Sequence, residues 1–109
     1  MQNAGIEFPE RGVARLFDLG PPPNPGPTEI LIRTQYSGVT NGTERHAMMG
    51  DFGWKNFPGR HGYQHVGIVE KAGPEVSGFQ EGGRLFFGRY VGHRGWHVQE
   101  VGSADMKSY

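Results

Sequence analysis

Apolar side chains in this chain recur mainly at every second position, in short runs closed by glycine and proline. That period is the signature of β-strands half-covered by a core. Residues 28–36, TEILIRTQY, show it most clearly, with Ile30, Ile32, Thr34 and Tyr36 on one face and Glu29, Leu31, Arg33 and Gln35 on the other. Residues 62–73 are rich in β-branched side chains, among them Val66, Ile68 and Val69, and stop at Gly73-Pro74, a strong turn signal. Ser77-Gly78 and Gly82-Gly83 follow and bracket Phe79, the one large apolar residue available to pin that loop to a core, before Leu85, Phe86 and Phe87 begin another strand. Two weaker alternations are residues 12–19, whose two faces both read as partly covered, and residues 95–102, with Trp96 and Val98 on one face. Residues 5–8 carry the pattern of a short edge strand. Only residues 43–49, TERHAMM, read as a helix, with Thr43 as its N-cap and Gly50 as its stop.

Composition changes this picture in three ways. Nineteen glycines and eight prolines make up about a quarter of the 109 residues, a share that without periodicity would mean disorder. Here they fall between strand-like runs, so they predict a turn-rich β domain; the run PPPNPGP over residues 21–27 is an extended, stiff connector. A chain this long buries roughly 60–70% of its unfolded surface, enough for one modest core and one domain. Eleven basic and eleven acidic side chains cancel, which implies neither a nucleic-acid nor an anionic-membrane partner. No apolar run approaches the roughly 20 residues of a membrane span and the start lacks a secretory pattern, so a cytoplasmic location is expected. The absence of cysteine excludes disulfides and thiolate metal ligands.

The central stretch resembles a known family. Gly62, Gly67, Val69, Gly73, Val76, Phe79, Gly82 and Arg84 fall, without a gap, on GHE-x-x-G-x-V-x-x-x-G-x-x-V-x-x-F-x-x-GDRV, the hairpin of the GroES-like catalytic domain of medium-chain dehydrogenases/reductases. The proline-rich connector, the strand PTEILIR and then Ser37-Gly38-Val39 look like the same domain, so the resemblance runs from about residue 12 to residue 105. It implies a mainly β fold over residues 1–109, a GroES-like, partly open β-barrel with one short helix. At Gly83 the family's turn-closing acid is lost, and Glu81 is the residue placed to replace it.

In zinc-dependent members a cysteine after S-G-[IV] and the histidine of GHE hold the catalytic metal, and a hydroxyl two residues past the cysteine relays the substrate proton. Counting without a gap puts Thr40 at the cysteine, whereas anchoring on Gly42-Thr43-Glu44 against the family's G-T-D puts Asn41 there. Tyr63 stands for the histidine and Gln64 for the glutamate. Hydroxyl, phenol and carboxamide are poor zinc donors, and the structural-zinc loop is reduced to RYVGHRG, so the resemblance implies no zinc. The stretch SGVTNGTER is similar to the zinc-less branch of the family.

That branch directs attention to three side chains as candidates for catalysis. The second anchoring puts Thr43 on the relay hydroxyl and His46 on the histidine that continues the proton path, a role suited to an imidazole. The same two residues read equally well as a helix cap and a solvent-facing histidine. Tyr63 is the candidate electrophile, since a phenol can donate to a developing alkoxide, or else a half-buried strand tyrosine. Substrate contacts are expected from Thr40 and Asn41 and from Phe52, Trp54 and Phe57 of the aromatic loop. His61 with His65, and His93 with His97, are spaced four apart. In a strand that separation is about 13 Å, too far for one ion, so structural or surface roles are expected.

The family binds NAD(P) in a second domain whose signature, G-x-G-x-x-G, does not occur in these 109 residues. The resemblance therefore implies the substrate-binding part of a zinc-independent, NAD(P)-dependent oxidoreductase for a small alcohol or carbonyl compound, inactive without its cofactor domain. Bare strand edges favour a homodimer. The alternative is a non-enzymatic GroES-like β-barrel used for binding or oligomerisation.

Overall fold

The computed structural model describes residues 2–51, 57–102 and 106–108. It is mainly β: β1 (Ala4–Glu7), β2 (Arg15–Asp18), β3 (Glu29–Ser37), α1 (Asn41–Met49), β4 (His65–Ala72), β5 (Arg84–Phe87), β6 (Trp96–Glu100) and β7 (Met106–Ser108). Five strands form one antiparallel sheet in the order β6-β3-β4-β5-β7, and β1 and β2 form a separate two-stranded ribbon. The ribbon is stitched to the sheet's loops. Ile6 N–H donates to the His93 carbonyl at 3.0 Å, Gly95 N–H to Ala4 at 2.9 Å, and Phe8 and Gly59 exchange bonds of 2.7 and 2.8 Å. The result is the partly open barrel expected from the sequence, with one helix among the described residues.

Alternation builds the core. Ile30 and Ile32 of β3, Val69 of β4, Leu85 and Phe87 of β5 and Met106 of β7 are buried together, with Phe79 and Val76 packed against them from the turn. Phe79 thus pins the loop as its isolation predicts. Glu81 takes up the turn-closing position in part, its Oε1 lying 3.4 Å from the Ala72 N–H.

Three strand readings are corrected. Residues 12–19 were expected to be covered on both faces, yet only residues 15–18 are strand, and Leu16 is 63% exposed because nothing but β1 pairs with them. Tyr36 does not share the inner face with Ile30 and Ile32. The pairing register with β4 shifts between Thr34 and Tyr36, and the tyrosine is 76% exposed. The strand β7 was not foreseen; three residues, MKS, carry too little pattern to announce a strand, and Met106 is held by pairing with Phe87.

Close approach requires glycine at Gly73 and Gly62, among others. A Cβ at Gly73 would lie 2.1 Å from the Gly26 carbonyl oxygen and 2.5 Å from that of Pro27, backbone atoms of the connector that cannot step aside. Gly62, at φ 140°, leaves room for the His93 ring and backbone, which a Cβ would meet at 2.9 Å. Gly73→Ala is therefore expected to destabilise by about 3 kcal/mol or more, the range of severe steric overlap. Urea unfolding would read the loss, while Gly78→Ala, where the glycine is merely left-handed and open to space, should cost about 1 kcal/mol.

Candidate functional site

Helix α1 begins one turn earlier than the sequence suggests. Its N-cap is Thr40, in an extended conformation, rather than Thr43, and no side-chain oxygen of Thr40 caps it. Instead Glu44 reaches back, its Oε2 accepting the Thr40 N–H at 2.7 Å. The helix stops at Gly50 as expected, in the left-handed conformation with φ 70°. The Thr40 hydroxyl caps no N–H of the first turn and is therefore open to another partner.

That partner is Tyr63. The Thr40 Oγ1 hydroxyl donates to Tyr63 Oη at 2.8 Å, and the tyrosine ring packs on Tyr90 with centroids 4.8 Å apart. Two of the residues singled out from the sequence, 23 positions apart, are thus brought into direct contact. Thr43 lies half-buried on α1, and His46, a turn further, places Nδ1 3.0 Å from Asp51 Oδ2. Asn41 is exposed and lines a cavity of about 390 Å³ together with Ile6, Phe8, Val39 and Met48. Phe57 is half-buried ahead of the hairpin. Phe52 and Trp54 lie outside the described residues.

Beneath the hydroxyl pair sits a group that sequence reasoning missed. Glu44, 5% exposed, bonds through Oε1 to His93 Nε2, and His93 Nδ1 bonds to Ser37 Oγ at 2.8 Å. Both partners of the Glu44–His93 pair are buried, and both form part of the wall of the 390 Å³ cavity. The signal for Glu44 is local: an acid four residues after a threonine at a helix start. His93 is 49 residues further on and has none.

Three of the histidines cluster in the interior, though not in the pairs their spacing suggests. His65, His93 and His97 are all buried, with the His65 ring 5.6 Å from His97 and 6.4 Å from His93. Burial pushes His65 below its ordinary pKa, and it holds His97 down at about 3 with help from the nearby positive charges of Arg94 and Arg89. His61, stacked on Phe8, is also lowered by burial. Among the described residues no three His, Asp or Glu side chains are grouped so as to hold a metal ion, and no helix is long and apolar enough to cross a membrane.

Three comparisons bear on this architecture. The alcohol dehydrogenase GroES-like domain family matches residues 26–104. An alcohol dehydrogenase of Rhizobium meliloti is 41% identical over 77 residues, which are 70% of this chain and 22% of that protein. Cinnamyl alcohol dehydrogenase 1 of Capsicum annuum is 33% identical over 69 residues, 63% of this chain and 19% of the relative. The chain thus spans about a fifth of the length of these curated relatives. Among solved structures, CAD from Helicobacter pylori complexed with NADP(H) superposes with a TM-score of 0.80 at 14% identity, over 97% of this chain and 41% of that one. The CurF cyclopropanase of curacin A biosynthesis gives 0.81 at 18%, over 99% and 36%. At such identities the likeness is one of fold.

Proposed function

The chain belongs to the alcohol dehydrogenase GroES-like domain family, and from that premise we propose that it is the substrate-binding part of a zinc-independent, NAD(P)-dependent oxidoreductase acting on a small alcohol or carbonyl compound. The observation that carries the reading is the 2.8 Å hydrogen bond between Thr40 and Tyr63. Under the gap-free count these are the positions at which zinc-dependent members place cysteine and histidine. A hydroxyl and a phenol in direct contact do not suit a cation that wants nitrogen or sulfur donors. They do suit an oxygen that gains negative charge.

The nicotinamide, bound outside these residues, supplies or removes hydride. This chain's own residues then act on the substrate oxygen. Tyr63 Oη, already accepting from Thr40, has its proton free to donate to an alkoxide as it develops, and the Thr40 hydroxyl strengthens that donor by polarising it. Glu44 fixes the Thr40 backbone, His93 fixes Glu44, and Ser37 fixes His93, so the hydroxyl pair stands on a chain of bonds with the buried Glu44–His93 pair at its centre. Asn41 and Phe57 supply further contact for the substrate.

The test uses the product of the complete reading frame, assayed with NADPH or NADH and a series of aldehydes and ketones. Tyr63→Phe should lower kcat by about 10²–10³-fold with little change in KM, the size of losing one donor to a developing oxyanion. Thr40→Val should lower it less, and Thr40→Ser should restore it. A metal chelator should leave the rate unchanged. Activity that survives Tyr63→Phe would sink the role of the hydroxyl pair. Loss on chelation with recovery on zinc would sink zinc independence, and no turnover with any nicotinamide would favour a non-enzymatic binding barrel.

A further inference from the structure

The hydrogen-bonded chain behind α1 has the order of groups that activates a hydroxyl. Ser37 Oγ lies 2.8 Å from His93 Nδ1, and the opposite ring nitrogen of His93, Nε2, is bonded to Glu44 Oε1. The Glu44 and His93 side chains are each 6% exposed, so the carboxyl group and the ring are held out of bulk water. Glu44 is fixed from its other oxygen as well, Oε2 accepting the Thr40 N–H at 2.7 Å. A hydroxyl bonded to an imidazole, with that imidazole oriented by a buried acid, is an arrangement recognised by geometry on any fold that carries it.

The sheet presents Ser37 for that role. It is the last residue of β3, opposite His65 of β4, and the next N–H, that of Gly38, bonds to the Gln64 carbonyl at 2.8 Å, so the backbone around it is fixed. The register shift that sends Tyr36 to solvent leaves the serine hydroxyl on the His93 side. Two cavities meet at this residue. One, of about 210 Å³, is bounded by Ile6, Leu16, Gln35 and His93. At about 30 Å³ for each water it has room for roughly seven, the bulk of a short acyl group. Gln35 brings a carboxamide to its wall, a donor suited to an acyl oxygen. The other cavity, of about 420 Å³, is bounded by Tyr36, Val66 and Phe86, an apolar surface for a flat leaving group.

We propose that Ser37 is an acyl-accepting nucleophile, with His93 as its base and Glu44 positioning the imidazole, and that the chain hydrolyses small carboxylic esters without a cofactor. Glu44 accepts from His93 Nε2–H, and the Nδ1 lone pair takes the Ser37 proton as Oγ bonds to the ester carbonyl carbon. When the bond from that carbon to the leaving oxygen breaks, His93 hands the proton to the departing alcohol. Water then adds to the acyl-serine and gives a proton to His93. The serine oxygen leaves, takes that proton back, and the carboxylic acid is released. No group is oxidised or reduced, and water is the one co-reactant. The reaction uses neither the Tyr63 hydroxyl nor a nicotinamide, so it stands or falls apart from the proposed oxidoreductase activity.

The test mixes the 109-residue chain with p-nitrophenyl acetate and no cofactor. A burst of p-nitrophenol should precede steady release, and peptide fragmentation of chain quenched during the burst should place the acetyl group on Ser37. That readout needs no substitution, and a merely structural serine would not give it. Ser37→Ala should slow hydrolysis by about 10²-fold, the lower range for losing a positioned acid–base partnership. Ser37→Cys should restore the burst, and circular dichroism of both variants should match the parent. The octanoate ester should react more slowly than the acetate, its chain being too long for the smaller cavity. An unmodified Ser37 with the acetyl group on a lysine or on Tyr63, or a Ser37→Ala chain that hydrolyses the acetate as fast as the parent, would overturn the proposal.

Discussion

His93→Phe is expected to cost about 3–5 kcal/mol of folding stability, the range for removing one partner of a buried ionisable pair. The phenylalanine keeps the ring volume and its packing near His65, so the loss reads the polar bonds and not a cavity. Glu44 would be left in an apolar wall with only the Thr40 N–H, and Ser37 would lose its 2.8 Å partner as well. Glu44→Gln should cost far less, about 1 kcal/mol, since an amide still offers an acceptor to Thr40 and a polar neighbour to His93. The double variant His93→Phe with Glu44→Leu is the discriminating experiment. If stranding the carboxyl group is the main penalty, removing it as well should recover part of the loss. Urea midpoints for these three variants and for Glu44→Leu alone decide. A single-variant cost below about 1 kcal/mol, or a double variant as poor as the sum of its parts, would show that the pair does not hold the loop in place.

Much of the fold was legible because it rests on local period and punctuation. Ile30 and Ile32 alternate, Gly73-Pro74 turns, and Phe79 is the lone anchor between two glycine-containing turns, so the sheet from β3 to β5 follows from neighbours within a few residues. The errors fall where a decision is made elsewhere in space. A register shift beside β4, not the alternation of β3, turns Tyr36 to solvent. Pairing with Phe87 creates β7, and the helix begins at Thr40 with no side-chain cap, not at Thr43. At the candidate site, Thr40 and Tyr63 could be named from a resemblance of motif order, but their mutual bond follows from the helix start. The pairing of His93 with Glu44 and Ser37 could not be reached at all. Its partners Ser37 and Glu44 are 56 and 49 residues away, and no spacing rule links positions so distant.

Acidification should unfold the protein, and the interior histidines set where. In an unfolded chain an imidazole takes its proton near pH 6.5, whereas in the fold His97 does so only at about 3 because burial, then His65, Arg94 and Arg89, oppose its charge. Between those values the unfolded state binds more protons than the native one, so stability is intact above 6.5 and falls as the pH drops through the window. His97 alone accounts for a loss of roughly 3 kcal/mol by pH 4.5. His65 and His61, also lowered by burial, add in the same direction. The exposed Asp18 does not blur the reading. Its carboxylate is held below 3.8 by the N–H groups of Gly20, Asn3 and Gln2, so its own contribution is lost only at still lower pH. Urea unfolding at pH 7.5, 6 and 4.5 should show the midpoint falling steadily. His97→Phe, although less stable at neutral pH because Gln99 loses its acceptor, should show a shallower fall over the same interval. A midpoint that stays level from pH 7.5 to 4.5, or a variant that falls as steeply as the parent, would mean that the barrel interior admits the charge.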